Sequence, residues 1–284
     1  MKLLFLSYGR GPHQDEVRFA VYSVRRLHPE PASLQIVICT DQPDYFQDLD
    51  VVCCYVAPDE WAEWGGPQNF NHRRKILAMQ HLLRQSTEPV VLMDGDVWIR
   101  ESLSLLAGRI GPGQAVMHIR EGQVGRVRSK VYGALADLLN SHHDVRQLGI
   151  PDSAWMWNAG VIGLHPADQG LLTDVLALTD RLTRASSLHV LEQFAFSWIL
   201  QSRLQLSEAA DLVFHYWPPH IHKPFRALLP QLMKQAAILP PCDRAEFLYA
   251  HRPRSTVSRR ARVVVRRVLE SLGLLGGYCR CNEW

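Results

Sequence analysis

The 284-residue chain is 47% hydrophobic with a formal charge of +3, which suits a large buried core and excludes a disordered chain. From His251 to Trp284 there are eight Arg and two Glu, leaving 23 basic and 26 acidic groups in the rest of the chain, so the basic character belongs to the tail. No stretch approaches the roughly 18 apolar residues of a membrane span, and the six Cys show no disulfide-framework spacing, as expected of reduced thiols in a cytoplasmic protein.

Met1 to Leu6 reads as a first strand rather than a signal peptide, because the apolar run stops at Ser7-Tyr8-Gly9 with no cleavage-site pattern. A helical period follows in Val17, Ala20, Val21, Val24 and Leu27, then a strand from Leu34 to Cys39 that ends at Asp41. Strand, helix, strand predicts an α/β fold with a mostly parallel sheet flanked by helices. A third strand, Val51 to Val56, leads into a loop carrying Trp61 and Trp64, and a helix is expected from Asn69 to Gln85 with Arg73, Arg74 and Lys75 near its start. Cations there oppose the helix dipole, a reason to look for an anionic partner.

Pro89 to Ile99 organises the chain. The apolar run Val90 to Met93 reads as a buried strand that ends in Asp94-Gly95-Asp96, two carboxylates placed to converge on one divalent cation, with Gly95 leaving room for a ligand. Asp48-Leu49-Asp50 has the same pattern but precedes an apolar run, so it reads as a solvated turn; ligand crevices lie at the carboxyl ends of strands. Further on come a strand from Ala115 to Ile119, a helix through Val127 to Leu138, and Trp155-Met156-Trp157-Asn158-Ala159-Gly160 before the strand Val161 to Leu164. Glu192 and Gln193 interrupt an apolar helix and are expected to face a cleft. His215, His220, His222 and Lys223 lie in a loop able to complete a metal site and meet phosphates.

In this order the pieces resemble retaining nucleotide-sugar glycosyltransferases of the glycogenin and lipopolysaccharide galactosyltransferase type, glycosyltransferase family 8, over roughly residues 1–225. Asp94-Gly95-Asp96 is similar to the family's Asp-x-Asp motif, Asn158-Ala159-Gly160 to its Asn-Ala/Ser-Gly, Glu192-Gln193 to its Asp-Gln pair, and His215 with Lys223-Pro224-Phe225 to its His-x-x-Gly-x-x-Lys-Pro-Trp segment. The resemblance implies a GT-A, Rossmann-related fold over residues 1–250. It implies Mn²⁺ or Mg²⁺ held by Asp94, Asp96 and His215, with Lys223 on the donor phosphate and Lys75 or Arg74 near the donor sugar. Tyr8 joins the donor-binding set, in a loop where family members often carry an acidic or amide group. Asn158 and Glu192-Gln193 would line the sugar and acceptor pocket. Lys223 stands two residues further from His215 than in the family, so His220 or His222 can replace His215 as ligand.

The expected activity is transfer of a sugar from a nucleotide-diphosphate sugar, a UDP-sugar by analogy, to a carbohydrate or glycolipid acceptor, with retention inherited from the resemblance. An inverting enzyme would recruit Asp152 or Glu192 as base. The alternatives are a metal-dependent phosphatase or phosphotransferase using Asp94, and a non-catalytic nucleotide-sugar-binding protein. Residues 251–284 form a separate basic tail; Val257 to Leu275 is amphipathic and suits the inner face of an anionic membrane. No nucleic-acid-binding pattern is present.

Overall fold

A computed structural model of the chain describes residues 1–30, 34–254 and 279–280. The amphipathic tail segment from Val257 to Leu275 and Cys281 lie outside the described residues.

The first half alternates as the apolar pattern requires. Strand β1 (Lys2–Ser7) leads to helix α1 (Pro12–Leu27), which opens with Pro12 at its first turn, has Asp15 near its N-terminus and ends in Arg25 and Arg26, a charge order that suits the dipole. Then come β2 (Gln35–Thr40), β3 (Val52–Tyr55), α2 (Pro58–Gly65), α3 (Arg73–Arg84), β4 (Val90–Met93), β5 (Val97–Ile99) and α4 (Leu103–Ala107). The stretch with Trp61 and Trp64, expected as a loop, is the helix α2: Pro58 starts it, Asp59 and Glu60 occupy its first turn, and Gly66 at φ 66° ends it.

The second half holds β6 (Gln114–Met117), β7 (Arg120–Gln123), β8 (Val127–Arg128), α5 (Lys130–Ser141), α6 (His143–Arg146), β9 (Trp155–Trp157), β10 (Val161–Leu164), α7 (Leu171–Ala185), α8 (Leu191–Arg203), β11 (Gln205–Glu208), β12 (Val213–His215), α9 (Pro219–Ala237) and α10 (Pro241–Ala250). Val127, expected at the start of a helix, lies in β8, and the helix begins at Lys130. Lys223, expected in a loop, lies within α9, which accommodates Pro224 and Pro230.

Seven strands form one sheet in the order β11-β6-β10-β4-β1-β2-β3, in which β10 alone runs against its neighbours. Alternate residues feed two cores. Leu4, Val37, Cys39, Val90 and Leu92 face α3, α5, α7 and α8, while Leu3, Phe5, Ile36, Ile38, Val91 and Met93 face α1 and α4. Each such side chain, fully buried, contributes about 1.5–3 kcal/mol. This two-sided burial is why β1, β2 and β4 read as unbroken apolar runs. A third cluster, built from Phe19, Trp98, Tyr216, Phe225, Leu229 and Leu248, fixes α9 and α10 against α1. Among the described residues no helix is long and apolar enough to cross a membrane.

Candidate metal and donor site

Two short strand pairings assemble the site at the carboxyl end of β4. Strand β10 runs antiparallel to β4 with Val161 opposite Met93, and Asp94 N–H donates to Gly160 O at 3.0 Å, so the Asn158-Ala159-Gly160 turn sits beside Asp94. Strand β12 pairs with β5, His215 opposite Val97, and Tyr216 N–H donates to Asp96 O at 2.9 Å. The imidazole thereby lies over Gly160, where a Cβ would stand 2.2 Å from His215 Nδ1, so only glycine fits. A Cβ on Gly95 would come within 3.1 Å of Val17 Cγ2 on α1, so the side of Gly95 that a side chain would take faces that helix.

His215 Nε2 is 3.0 Å from Asp96 Oδ1 and 3.9 Å from Asp94 Oδ2, and one ligand atom from each of the three residues falls within 4.8 Å of the others. Carboxylate oxygens and a neutral imidazole nitrogen all accept, so this convergence needs a proton or a cation between them. Two hard oxygens and one imidazole suit Mn²⁺ or Mg²⁺, and the donor set therefore fits the ion that the resemblance implies. Burial works against the charge on Asp96, but His215 beside it outweighs this and holds its carboxyl below the usual range. Burial likewise disfavours His215 protonation, and Asp96 and Asp94 overcome it, raising its pKa.

Lys75 approaches the same cluster from α3. Its Nζ lies 2.6 Å from Asp94 Oδ1 and 3.9 Å from Glu192 Oε1. Burial disfavours the ammonium, yet these carboxylates raise its pKa. Glu192 is 2% exposed; burial, only partly offset by Lys75, pushes its pKa up to about 7. The three basic residues at the start of α3 are thus committed inwardly. Arg73 pairs with Asp180 at 2.7 Å, and Arg74 donates to Trp61 O at 2.9 Å and Asn69 Oδ1 at 2.6 Å.

The other expected residues make contacts of their own outside this cluster. Tyr8 stacks on Trp61 with ring centroids 4.1 Å apart and planes 1° from parallel, and the Arg74 guanidinium stands 4.8 Å from the Trp61 ring centroid. Asp41, at the end of β2, accepts Gly9 N–H at 2.7 Å. His222 meets Glu16 of α1 at 2.7 Å, and Arg226 lies 3.8 Å from the same carboxylate. Lys223 and His220 are exposed on α9, and Asp152 is exposed in the loop before β9, its side chain against Gly125. Trp157 is buried, and Trp155 carries the Arg120 guanidinium 4.2 Å from its ring centroid. Asp48 and Asp50 bind Arg18 and Arg25 at the surface.

Sequence reasoning missed Glu121. Its carboxylate accepts Asn158 Nδ2 and Gln193 Nε2, each at 3.0 Å, and the Tyr132 hydroxyl. It lies in the polar run Arg120-Glu121-Gly122-Gln123, which has no apolar period and is placed by pairing with β9.

No family model matches the chain, and no curated protein matches it in sequence. Among solved structures, the galactosyltransferase LgtC in complex with donor and acceptor sugar analogues matches at TM-score 0.51 and 14% identity over 86% of this chain and 99% of that one. Mouse xyloside xylosyltransferase 1 in its apo form gives TM-score 0.49 and 16% identity over 73% of this chain and 85% of that one. The seven-stranded, mostly parallel sheet between helices and its match to the LgtC complex identify the architecture as a GT-A-like fold.

Proposed function

We propose that the protein is a metal-dependent glycosyltransferase that takes a sugar from a nucleotide-diphosphate donor, of the UDP type, to a carbohydrate or glycolipid acceptor. The observation that carries this reading is the convergence of Asp94, Asp96 and His215 at a strand end, in a fold shared with a galactosyltransferase solved with donor and acceptor analogues. Mn²⁺ or Mg²⁺ bound there would absorb the charge that grows on the leaving diphosphate. The chain's own residues hold and orient: Asp94 and Asp96 bind, Lys75 balances their charge, and His215 offers Nε2. Glu192, sealed against Lys75, and Gln193, at the start of α8, stand beside this centre. Their roles toward the sugar, and retention at the anomeric carbon, belong to this proposal. The Arg-rich segment beyond residue 254 is assigned by its charge to an anionic bilayer surface, from the cytoplasmic side.

The test is donor hydrolysis. Purified protein is offered a panel of nucleotide-sugars with and without Mn²⁺ or Mg²⁺, alongside Asp96→Ala. Metal-dependent release of one nucleotide, abolished in the variant, is the expected result. Cleavage of a simple phosphate ester with no donor turnover would instead favour a phosphatase.

A further inference from the structure

Glu121 reaches His215 through a chain of hydrogen bonds whose directions are fixed by chemistry. An ionised carboxylate only accepts, so the amides of Asn158 and Gln193 must both turn their NH₂ groups toward it, at 3.0 Å each. The Asn158 carbonyl then faces the other way. There the Gly160 N–H, which can only donate, meets Asn158 Oδ1 at 3.0 Å and confirms the orientation independently. The same Oδ1 lies 2.9 Å from His215 Nδ1. An amide oxygen cannot donate, so His215 meets it as Nδ1–H. With Nδ1 keeping its proton, Nε2, the atom 3.0 Å from Asp96, is the nitrogen that holds a proton in the metal-free centre and offers a lone pair once a cation takes that proton's place.

We propose that Glu121 is a positioning residue for the cation centre: by fixing the Asn158 amide it fixes the His215 tautomer that presents Nε2 as a ligand. This rests on the reading of Asp94, Asp96 and His215 as a divalent-cation site. Glu121 touches neither the cation nor His215 and acts through Asn158. Its second oxygen holds Gln193 Nε2 and so turns the Gln193 carbonyl away from β7, giving one carboxylate control of two amides. Outer partners of this kind typically alter metal affinity by roughly 10–100-fold.

Glu121→Gln is the discriminating variant. A glutamine offers one acceptor and one NH₂ to the three donors now gathered on the carboxylate, so at least one bond is lost. Turning Asn158 over would set its NH₂ against Gly160 N–H and His215 Nδ1–H. Glu121→Asp keeps an acceptor-only group on a shorter arm. Mn²⁺ affinity is measured by electron paramagnetic resonance without donor, thermal melting serves as the folding control, and the His215 nitrogens are read by ¹⁵N NMR of histidine-labelled metal-free protein, assigned with His215→Gln. The expected result is a fall of about 10–100-fold in Mn²⁺ affinity for Glu121→Gln, a partial return in Glu121→Asp, and a His215 spectrum in which Nδ1, protonated throughout in the wild type, becomes protonated only in part. Unchanged affinity and an unchanged His215 spectrum in folded Glu121→Gln would overturn the proposal. If the wild type itself binds no Mn²⁺, the metal-site reading falls, and the spectra alone decide the relay: a changed tautomer supports it and an unchanged one overturns it.

Discussion

His215 and Gly160 are in contact at a separation that leaves no space for a side chain: a Cβ on Gly160 would stand 2.2 Å from Nδ1 and 2.3 Å from Cε1 of the imidazole. Gly160→Ala must therefore push the ring off its seat. The expected outcome is a loss of stability of about 1–3 kcal/mol, typical of overpacking, with a Mn²⁺ affinity that falls more than the melting temperature alone would explain. Equilibrium denaturation and metal titration on the same sample check both.

Lys75 supplies the positive charge between Asp94 and Glu192. Lys75→Met leaves these carboxylates facing each other, and breaking a buried pair in this way costs about 3–5 kcal/mol. A divalent cation restores part of the missing charge. Added Mn²⁺ should therefore raise the melting temperature more in the variant than in the wild type; equal shifts would separate Lys75 from the cation's field.

Glu192 gives a pH dependence on the neutral side. Burial, against the opposing pull of Lys75, lifts its pKa from 4.5 to about 7. The folded state then holds a proton that the unfolded state has lost, so this group's contribution to stability declines as pH rises from 4.5 to about 7. Glu192→Gln removes that decline. Urea midpoints across this window, steeper for wild type than for the variant, are the expected record.

His118 acts in the opposite direction. It is buried, its Nε2 lies 3.2 Å from Val213 O, and its ring stands edge-on to His215. Burial, reinforced by His215, presses its pKa from 6.5 to about 3. The unfolded chain takes up the proton first, so stability is lost as pH falls below 6.5 at up to about 1.4 kcal/mol per pH unit. His118→Gln keeps a donor for Val213 O and removes the titration, so its acid limb should be shallower; parallel limbs would show that the imidazole is not held neutral.

The parts of the site that the sequence reveals are those set by strong local signals. Val90 to Met93 is buried on both faces, so it reads as a strand and places Asp94 and Asp96 at its end; Asn158-Ala159-Gly160 announces a tight turn before another apolar strand. His215 stands out by type, and the pairing of β12 with β5 selects it over His220 and His222 as the imidazole beside the carboxylates. Glu121 was invisible because nothing local places it: its position comes from β9, whose Trp157 pairs with Arg120. Helix α2 was hidden by Gly65-Gly66-Pro67, which punctuates its end rather than a loop. The early turns of α9 were hidden by Pro218 and Pro219, although a helix tolerates proline at its start, and by Pro224, which lies inside it.

The ribbon of β5 and β12 joins Asp96 to His215 across 119 positions of chain. Closing it costs more loop entropy than pairing strands that lie near one another in sequence, since long separations pay that entropy before the contact rewards it. On that ground Asp94, Asp96 and His215 are expected to come together late in folding and to separate early in unfolding. A cation bound there would then act as a kinetic latch: it would leave the rate of folding nearly unchanged and prolong the lifetime of the folded molecule.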